Sequence, residues 1–452
     1  MKWTENWRMI LWLAIPSIIS FASQTLSGTL NLMIVGRLEG GVAGQAIAIV
    51  GVSNVIIYNV WAIFSGIGHT VNYLVAQNIG AGETKKAIER TYIALYVTAL
   101  VALFVLAAGW LFADELLRIV GGKSAEELAD GASYLRLRFY AMSCGIFSFL
   151  FHGFMRGTGD TRTPMVLSLL MNTVMMTLTY GLAYSRFGLP ELGLYGAGLA
   201  FFIGELIGLV GCLFVFFVRL HPRYATRSRA KFRWNEARLI LRESGKLGVQ
   251  EFSISFSMLV FTFFVAYLGA TALAANEVAL SVMSLGFMPA FGFGSTATIL
   301  VGQYIGKGKP LVARRMGTDV AVLGTIFLTL VGVLEFAFPV TIAHWYSNEP
   351  EVYELAARLI MMSAFLQLFD GLLNYYAGGL RGIGDTTFLL RVSFALGVFL
   401  FIPSTYLAIF VFHWGSVGAW LSLYFYLVVF GLLVMRRFYR TDWLSVRMKS
   451  AE

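Results

Sequence analysis

Five carboxylates stand inside long apolar stretches of this 452-residue chain: Glu205, Glu251, Glu277, Glu335 and Asp370. An ionisable group is costly to hold in hydrocarbon, so such residues are functional candidates wherever a cation has to be captured and released. Asp370 has Gln367 three residues before it and Asn374 four after it, which places all three on one helical face as a polar stripe. Glu251 is followed by Ser255 and Thr262 on roughly one face. It reads either as a cation ligand or as a carboxylate near a helix start that snorkels or favours the amino-terminal dipole. Glu277 heads a span with Ser281 and Ser284 at i+4 and i+7, near the outer surface, where it serves a cavity mouth or nothing at all. Asp370 and Glu251 are the expected ligands if the cation captured is a metal such as Na⁺; a carboxylate in apolar surroundings could instead carry H⁺. No other cofactor is expected.

Neutral polar residues are also spaced to share helical faces. Ser20, Gln24, Ser27 and Asn31 form one stripe, and Asn54, Tyr58, Trp61 and Ser65 another. Both patterns suit a cavity wall, with Gln24, Asn31, Asn54, Tyr58, Trp61, Gln367 and Asn374 as candidate substrate contacts; hydrogen bonding between helices in a bundle gives the same spacing. Met165, Met171, Met175 and Met176 add flexible apolar surface suited to ligands of varied shape, and Met is equally ordinary filler.

The elements that must position these groups are membrane helices. Hydrophobic residues make up 58% of the chain and charged ones 13%, and the mean hydropathy is +0.73. The apolar blocks run near twenty residues, the length a bilayer core of about 30 Å demands of a helix. Twelve spans are expected, near 10–35, 46–76, 92–113, 134–155, 163–184, 196–218, 247–269, 276–302, 318–343, 353–378, 390–412 and 416–435. The first is expected as a retained helix rather than a cleaved signal. With both termini placed in the cytoplasm, 27 of the 34 Lys and Arg residues fall on the inner side. The acidic residues Asp114, Glu115, Glu126, Glu127, Asp130, Glu349, Glu351 and Glu354 fall on the outer side. The net charge of +9 therefore reflects topology and contact with anionic lipid, not nucleic acid. Cys144 and Cys212 lie inside spans and offer neither a disulfide framework nor a metal site.

Two motifs occur twice. Gln77-Asn78-Ile79-Gly80-Ala81-Gly82 recurs as Gln303-Tyr304-Ile305-Gly306-Lys307-Gly308, displaced by 226 residues, and Arg156-Gly157-Thr158-Gly159-Asp160-Thr161 recurs as Arg381-Gly382-Ile383-Gly384-Asp385-Thr386, displaced by 225. Half the chain is 226 residues, so a six-helix unit is duplicated in the same orientation. The expected organisation is an amino-terminal bundle over 1–218, a basic cytoplasmic linker over 219–246 and a carboxy-terminal bundle over 247–452. Taken singly, each motif reads as a helix cap and a braced short loop.

The ordered, duplicated motifs, together with Phe287-Met288-Pro289-Ala290-Phe291-Gly292-Phe293-Gly294, resemble the multidrug and toxic compound extrusion (MATE) family over essentially the whole chain. That resemblance implies an all-α membrane protein of two six-helix bundles around a V-shaped cavity. It also implies a monomer in the plasma (inner) membrane that exports organic cations or amphipathic drugs in exchange for Na⁺ or H⁺. Asp370 stands where NorM-type members carry an acidic residue implicated in cation binding, and Glu251 resembles the acidic residue of their seventh helix. In the first half the chain departs from the family. Asn31 replaces an Asp of the first helix, and Thr179 replaces an Asp that DinF-type members carry seven residues after the counterpart of Asn172. Asn and Thr do not titrate, which moves ion coupling toward the second half and leaves Asn31, Asn172 and Thr179 as hydrogen-bonding substrate contacts.

Other classes fit less well. There is no G-x-x-x-x-G-K-[ST] phosphate loop and no stretch able to form a nucleotide-hydrolysing soluble domain, so transport is gradient-driven or passive. The five His residues are scattered, with no nucleophile or metal spacing, so no enzyme is expected. A lipid-linked precursor flippase of the same wider superfamily is the alternative; it calls for extra spans and for basic residues in the cavity, where the sequence offers carboxylates.

Overall fold

The computed structural model describes residues 3–38, 43–121 and 129–451; Glu126 and Glu127 lie outside them. Among the described residues, twelve long helices follow in order: α1 Trp3–Val35, α2 Ala43–Gly80, α3 Thr84–Gly121, α4 Ala129–Gly157, α5 Arg162–Ala183, α6 Gly193–Phe214, α7 Trp234–Ala266, α8 Ala270–Gly306, α9 Pro310–Ala337, α10 Pro350–Ile383, α11 Thr386–Leu396 and α12 Gly415–Arg440. α6 runs on through a π-helical turn, Val215–Arg219, and α11 continues as helix with two π-helical stretches to Val411. There is no strand among the described residues. Eleven of these helical segments are long and apolar enough to cross a bilayer. The other is α4, which carries Arg138, Ser143, Ser148 and His152. Lipid offers no partner to backbone N–H and C=O groups, so continuous helices are the solution open to a chain of this composition.

The helices overrun the expected spans by up to about two turns at most ends and by more than three turns at the start of α7, which begins at Trp234, because hydrogen bonding continues into polar sequence after the apolar pattern stops. The ninth span needs a correction. Expected over 318–343, its helix ends at Ala337 and a separate helix, Pro339–His344, begins. Pro339 lacks an amide proton and drives the preceding residue from helical geometry; Phe338 has φ −129° and ψ 45°.

Two compact units emerge from the contacts. One comprises Ile19–Ile79 and Glu83–Gly248; the other comprises the chain through Ile18, Gly80–Gly82 and Val249–Lys449. These boundaries differ from the sequence halves at the first helix of each repeat. In the amino-terminal unit, a Cβ on Gly66 would lie 2.1 Å from the Ser244 carbonyl oxygen, and one on Gly248 would lie 1.9 Å from that of Ile63. The first half of α7 is therefore in backbone contact with α2. In the carboxy-terminal unit Ile18 packs on Gly292, whose Cβ would meet its Cγ1 at 2.5 Å. The segment 219–246 is thus built onto the amino-terminal unit. Tyr92 donates to the Thr226 carbonyl at 2.6 Å, Arg90 pairs with Glu236 at 2.9 Å and Tyr73 donates to Glu243 at 2.9 Å. The Arg90 and Glu236 side chains are 2% and 7% exposed, and Asn78 accepts a further bond from Arg90 at 3.0 Å.

The internal repeat is visible in the packing. α2 and α4 cross where a Cβ on Gly153 would lie 2.3 Å from the Gly68 carbonyl oxygen; α8 and α10 cross where a Cβ on Gly378 would lie 2.0 Å from that of Gly294. Gly294 follows Gly68 by 226 residues and Gly378 follows Gly153 by 225, the displacements of the two motifs. The hydroxyl of Thr298 donates to the Gly378 carbonyl at 3.0 Å across the second crossing. The Arg-Gly-x-Gly-Asp-Thr repeats are helix caps of one geometry. Gly159 and Gly384 have φ of 92° and 80°, and Asp160 and Asp385 donate their amides to Met155 and Leu380 at 3.0 and 2.9 Å.

Backbone-to-backbone contact leaves no room for a side chain, and overpacking costs about 1–3 kcal/mol or more. Gly378→Val is expected to lower the thermal midpoint of the detergent-solubilised protein by about 5 °C or more. Gly51→Ala, at a position with nothing within 4 Å of the added methyl, leaves it unchanged. Equal midpoints for both variants would show that the crossing is not tight.

Candidate functional site

Within the amino-terminal unit, α1, α2, α4, α5 and α6 enclose a cavity of about 320 Å³. Each helix contributes one face. α1 presents Gln24, Gly28 and Asn31; α2 presents Asn54, Ile57, Tyr58 and Trp61; α4 presents Arg138, Ala141, Met142, Gly145, Ser148, Phe149 and His152. α5 adds Met171, Asn172 and Met175, and α6 adds Phe201 and Glu205. The spacings of three, four and seven are those of side chains stacked along one side of a helix. Small residues make the space, since a Cβ on Gly145 would sit 3.2 Å from Glu205 Oε2 and 3.4 Å from the Trp61 ring. Trp61 meets Phe149 edge-on, with centroids 5.5 Å apart.

The polar groups on this wall differ in how they are satisfied. Asn172 donates to Ser23 Oγ at 2.8 Å, and Asn54 accepts from Arg138 at 2.9 Å. Both polar atoms of the fully buried Asn31 amide lack a hydrogen bond among the described residues. Glu205 has no hydrogen bond or ion pair among the described residues. Six expected substrate contacts, Gln24, Asn31, Asn54, Tyr58, Trp61 and Asn172, are therefore brought together, with Glu205 among them. Thr179 stands outside the cavity lining, fully buried, its hydroxyl donating to the Met175 carbonyl at 2.8 Å.

In the carboxy-terminal unit the expected groups are spread out. Asp370, 5% exposed in mid-α10, has no hydrogen bond to its carboxylate among the described residues. Asn374 is turned back onto the Asp370 main-chain carbonyl at 2.8 Å. Gln367 is engaged with Glu335, donating to Oε2 at 3.3 Å, while Ser363 donates to the same oxygen at 3.2 Å and Oε1 has no partner among the described residues. Glu335 also lines an apolar pocket of about 420 Å³ with Val282, Leu334, Phe338, Ile342, Trp345 and Tyr346. Glu251 is held by Arg381 at 2.8 Å, so the arginine of the repeated motif places a fixed positive charge on this candidate ligand. Glu277 is exposed. Among the described residues no three His, Cys, Asp or Glu side chains cluster as a metal site.

Sequence reasoning passed over Arg138 and His152. Both lie in the expected fourth span, but counting Arg138 with the outer-side charges leaves a cavity bearing carboxylates only. The structure corrects that picture. Arg136 and Arg138 are two residues apart, hence on opposite sides of α4: Arg136 pairs with Asp114, and Arg138 turns into the cavity. The spacing of Arg138, Ala141, Gly145, Ser148 and His152 was the available signal.

The MatE family profile matches residues 16–180 and 247–407. The chain is similar to the probable multidrug resistance protein NorM of Thermotoga maritima, with 26% identity over 411 residues, covering 91% of this chain and 87% of that protein. It is 29% identical over 438 residues to the protein of the same name from Bradyrhizobium diazoefficiens, covering 94% and 91%. Among solved structures, the crystal structure of a MATE protein in the straight conformation superposes with a TM-score of 0.84 at 17% identity, covering 96% of this chain and 95% of that one. A MOP superfamily transporter from Pyrococcus furiosus gives 0.83 at 17%, covering 96% and 97%. These likenesses confirm the all-helical membrane fold expected from the sequence.

An amide buried without partners costs about 1–3 kcal/mol. Asn31→Leu, close in volume, is therefore expected to raise the thermal midpoint of the purified protein. A lowered midpoint would mean that the Asn31 amide is satisfied in the folded protein.

Proposed function

The chain belongs to the MatE family of membrane transporters, and from that membership we propose that it is a secondary multidrug exporter. It exchanges amphipathic organic cations for Na⁺ or H⁺ by alternating access. What carries the reading is the cavity in the amino-terminal unit, where aromatic and Met side chains surround a carboxylate, Glu205, that no ion pair holds among the described residues. Trp61, Tyr58 and Phe149 supply stacking and cation–π surface, Met142, Met171 and Met175 adapt to shape, and Glu205 supplies charge. The names of the relatives, multidrug resistance proteins, support the same class of cargo. Asp370 is the proposed coupling residue, because it is the other mid-helix carboxylate without a hydrogen bond among the described residues. Glu251 is the second candidate; its pairing with Arg381 makes exchange of partners part of any role. Both termini in the cytoplasm accord with the distribution of Lys and Arg, and a monomer in the plasma membrane is what membership of the family suggests. The flippase alternative is favoured by one observation, a basic group facing the cavity, yet Arg138 is the single Arg or Lys among the described lining residues.

The test is export of the fluorescent cation rhodamine 123 from reconstituted vesicles, under a Na⁺ gradient and a pH gradient imposed separately. Asp370→Asn is expected to reduce gradient-driven export about tenfold or more, at equal amounts of folded protein, and the gradient that drives the wild type identifies the ion. Undiminished coupled export in Asp370→Asn removes it as the coupling residue. Absence of transport by the wild type under either gradient removes the exporter reading.

A further inference from the structure

Glu335 is a buried carboxylate that neither an ion pair nor the proposed exchange puts to use. It lies 3% exposed near the end of α9. There α9 is pressed onto α10, since a Cβ on Gly332 would lie 2.7 Å from the Ala364 carbonyl oxygen. From that side Ser363 and Gln367 reach Oε2. Oε1 has no hydrogen bond, and no Lys, Arg or His pairs with Glu335, among the described residues. The terminal torsion of a Glu side chain is broad, so Oε1 turns toward an occupant at little cost.

The same carboxylate lines the apolar pocket of about 420 Å³ in the carboxy-terminal unit. Val331, Leu334 and Phe338 share a face with it at the end of α9, Val282 of α8 closes one side, and Ile342, Trp345 and Tyr346 close another. On a straight helix Val331 and Tyr346 would stand about 22 Å apart, too far to wall one such space; the break at Phe338 brings them to it. No Lys or Arg is among the described lining residues. Trp345 is 77% exposed, and the proposed topology places this end of α9 at the outer surface, where a ring with an apolar body and a polar N–H suits the membrane interface.

We propose that this pocket is a binding site for a lipophilic ammonium ion drawn from the outer leaflet, separate from the amino-terminal cavity: the ammonium pairs with Glu335, and the apolar body fills the space between Val331, Leu334 and Ile342. An acyl chain or a neutral solute would fill the apolar part and leave the carboxylate uncompensated. A metal ion would find one carboxylate and no cluster of ligands among the described residues. An amine on an apolar body satisfies both the charge and the wall, the combination of a mostly apolar lining with one placed polar group that small-molecule sites use. The inference goes beyond the exporter reading and does not depend on it, because these residues and Glu205 belong to different units.

The experiment compares two photoreactive probes of one shape. 4-(Aminomethyl)benzophenone carries a primary ammonium on a body whose ketone inserts into nearby C–H bonds on irradiation, and 4-(hydroxymethyl)benzophenone is its neutral counterpart. The purified full chain is irradiated with each at equal, subsaturating concentration and digested, and the attachment sites are located by mass spectrometry, so that labelling of 331–346 is scored separately from labelling at the amino-terminal cavity. In the wild type the amine is expected to label 331–346 about tenfold more than the alcohol, the scale of a charge-assisted hydrogen-bonded pair. In Glu335→Gln, labelling by the amine falls to the level of the alcohol. Val331→Phe keeps the charge but narrows the pocket; labelling by the amine falls there too, which supplies the answer if Glu335→Gln does not fold. Equal labelling of the segment by both probes in the wild type, or amine labelling that survives unchanged in a folded variant, overturns the site. Amine labelling confined to other parts of the chain also overturns it, and leaves the exporter reading standing.

Discussion

Helix crossings in which one backbone lies directly against another support everything else in this protein. Between helices in lipid there is little hydrophobic force, because the surrounding tails are as apolar as the side chains, and association relies on close packing and hydrogen bonds. Gly68 with Gly153 and Gly294 with Gly378 supply that closeness once in each unit. The first crossing brings α2 and α4 together beside the cavity, and the second brings α8 against α10, the helix that carries Asp370. A helix pair fixed this tightly can hold polar groups in one orientation, and that is what a selective site in a membrane needs.

The buried and half-buried charges then fall into two sets. Most are matched: Arg90 with Glu236 and Asn78, Tyr73 with Glu243, Asn6 with Asp319 and, in the middle of α7, Glu251 with Arg381. These contacts join segments far apart in the chain and hold the 219–246 region and the start of α1 within their units. Others have no ion-pair partner among the described residues: Glu205, Arg138, Asp370 and, near the end of α9, Glu335, one of whose oxygens also lacks a hydrogen bond there. A charge without a partner in apolar surroundings lowers stability.

The repeated motifs show how a conspicuous pattern can be structural. Both Arg-Gly-x-Gly-Asp-Thr segments are left-handed glycine caps with the same main-chain bonds. Their arginines nonetheless serve different neighbours: Arg156 lies over the Phe21 ring at 4.6 Å, while Arg381 binds Glu251. Duplication copied the turn and left the side chains free to diverge, because a cap constrains backbone angles and a salt bridge depends on whatever stands opposite.

The sequence by itself determined the membrane class, twelve helices, their duplication and the polar faces of α1 and α2, since apolar block length, repeat displacement and helical period are local properties of a string. It also marked Glu205 and Asp370, because a carboxylate inside an apolar block is conspicuous without any structure. Tertiary structure decided which marked residues meet. It gathered Gln24, Asn31, Asn54, Tyr58, Trp61, Asn172 and Glu205 around one cavity, turned Thr179 and Asn374 onto their own backbones, and tied Gln367 to Glu335 and Glu251 to Arg381. It also sent Arg136 and Arg138, two residues apart, to an ion pair and to a cavity wall. Pairing and exposure of a charge depend on which neighbouring helix faces it, and one-dimensional periodicity gives the face but not the neighbour.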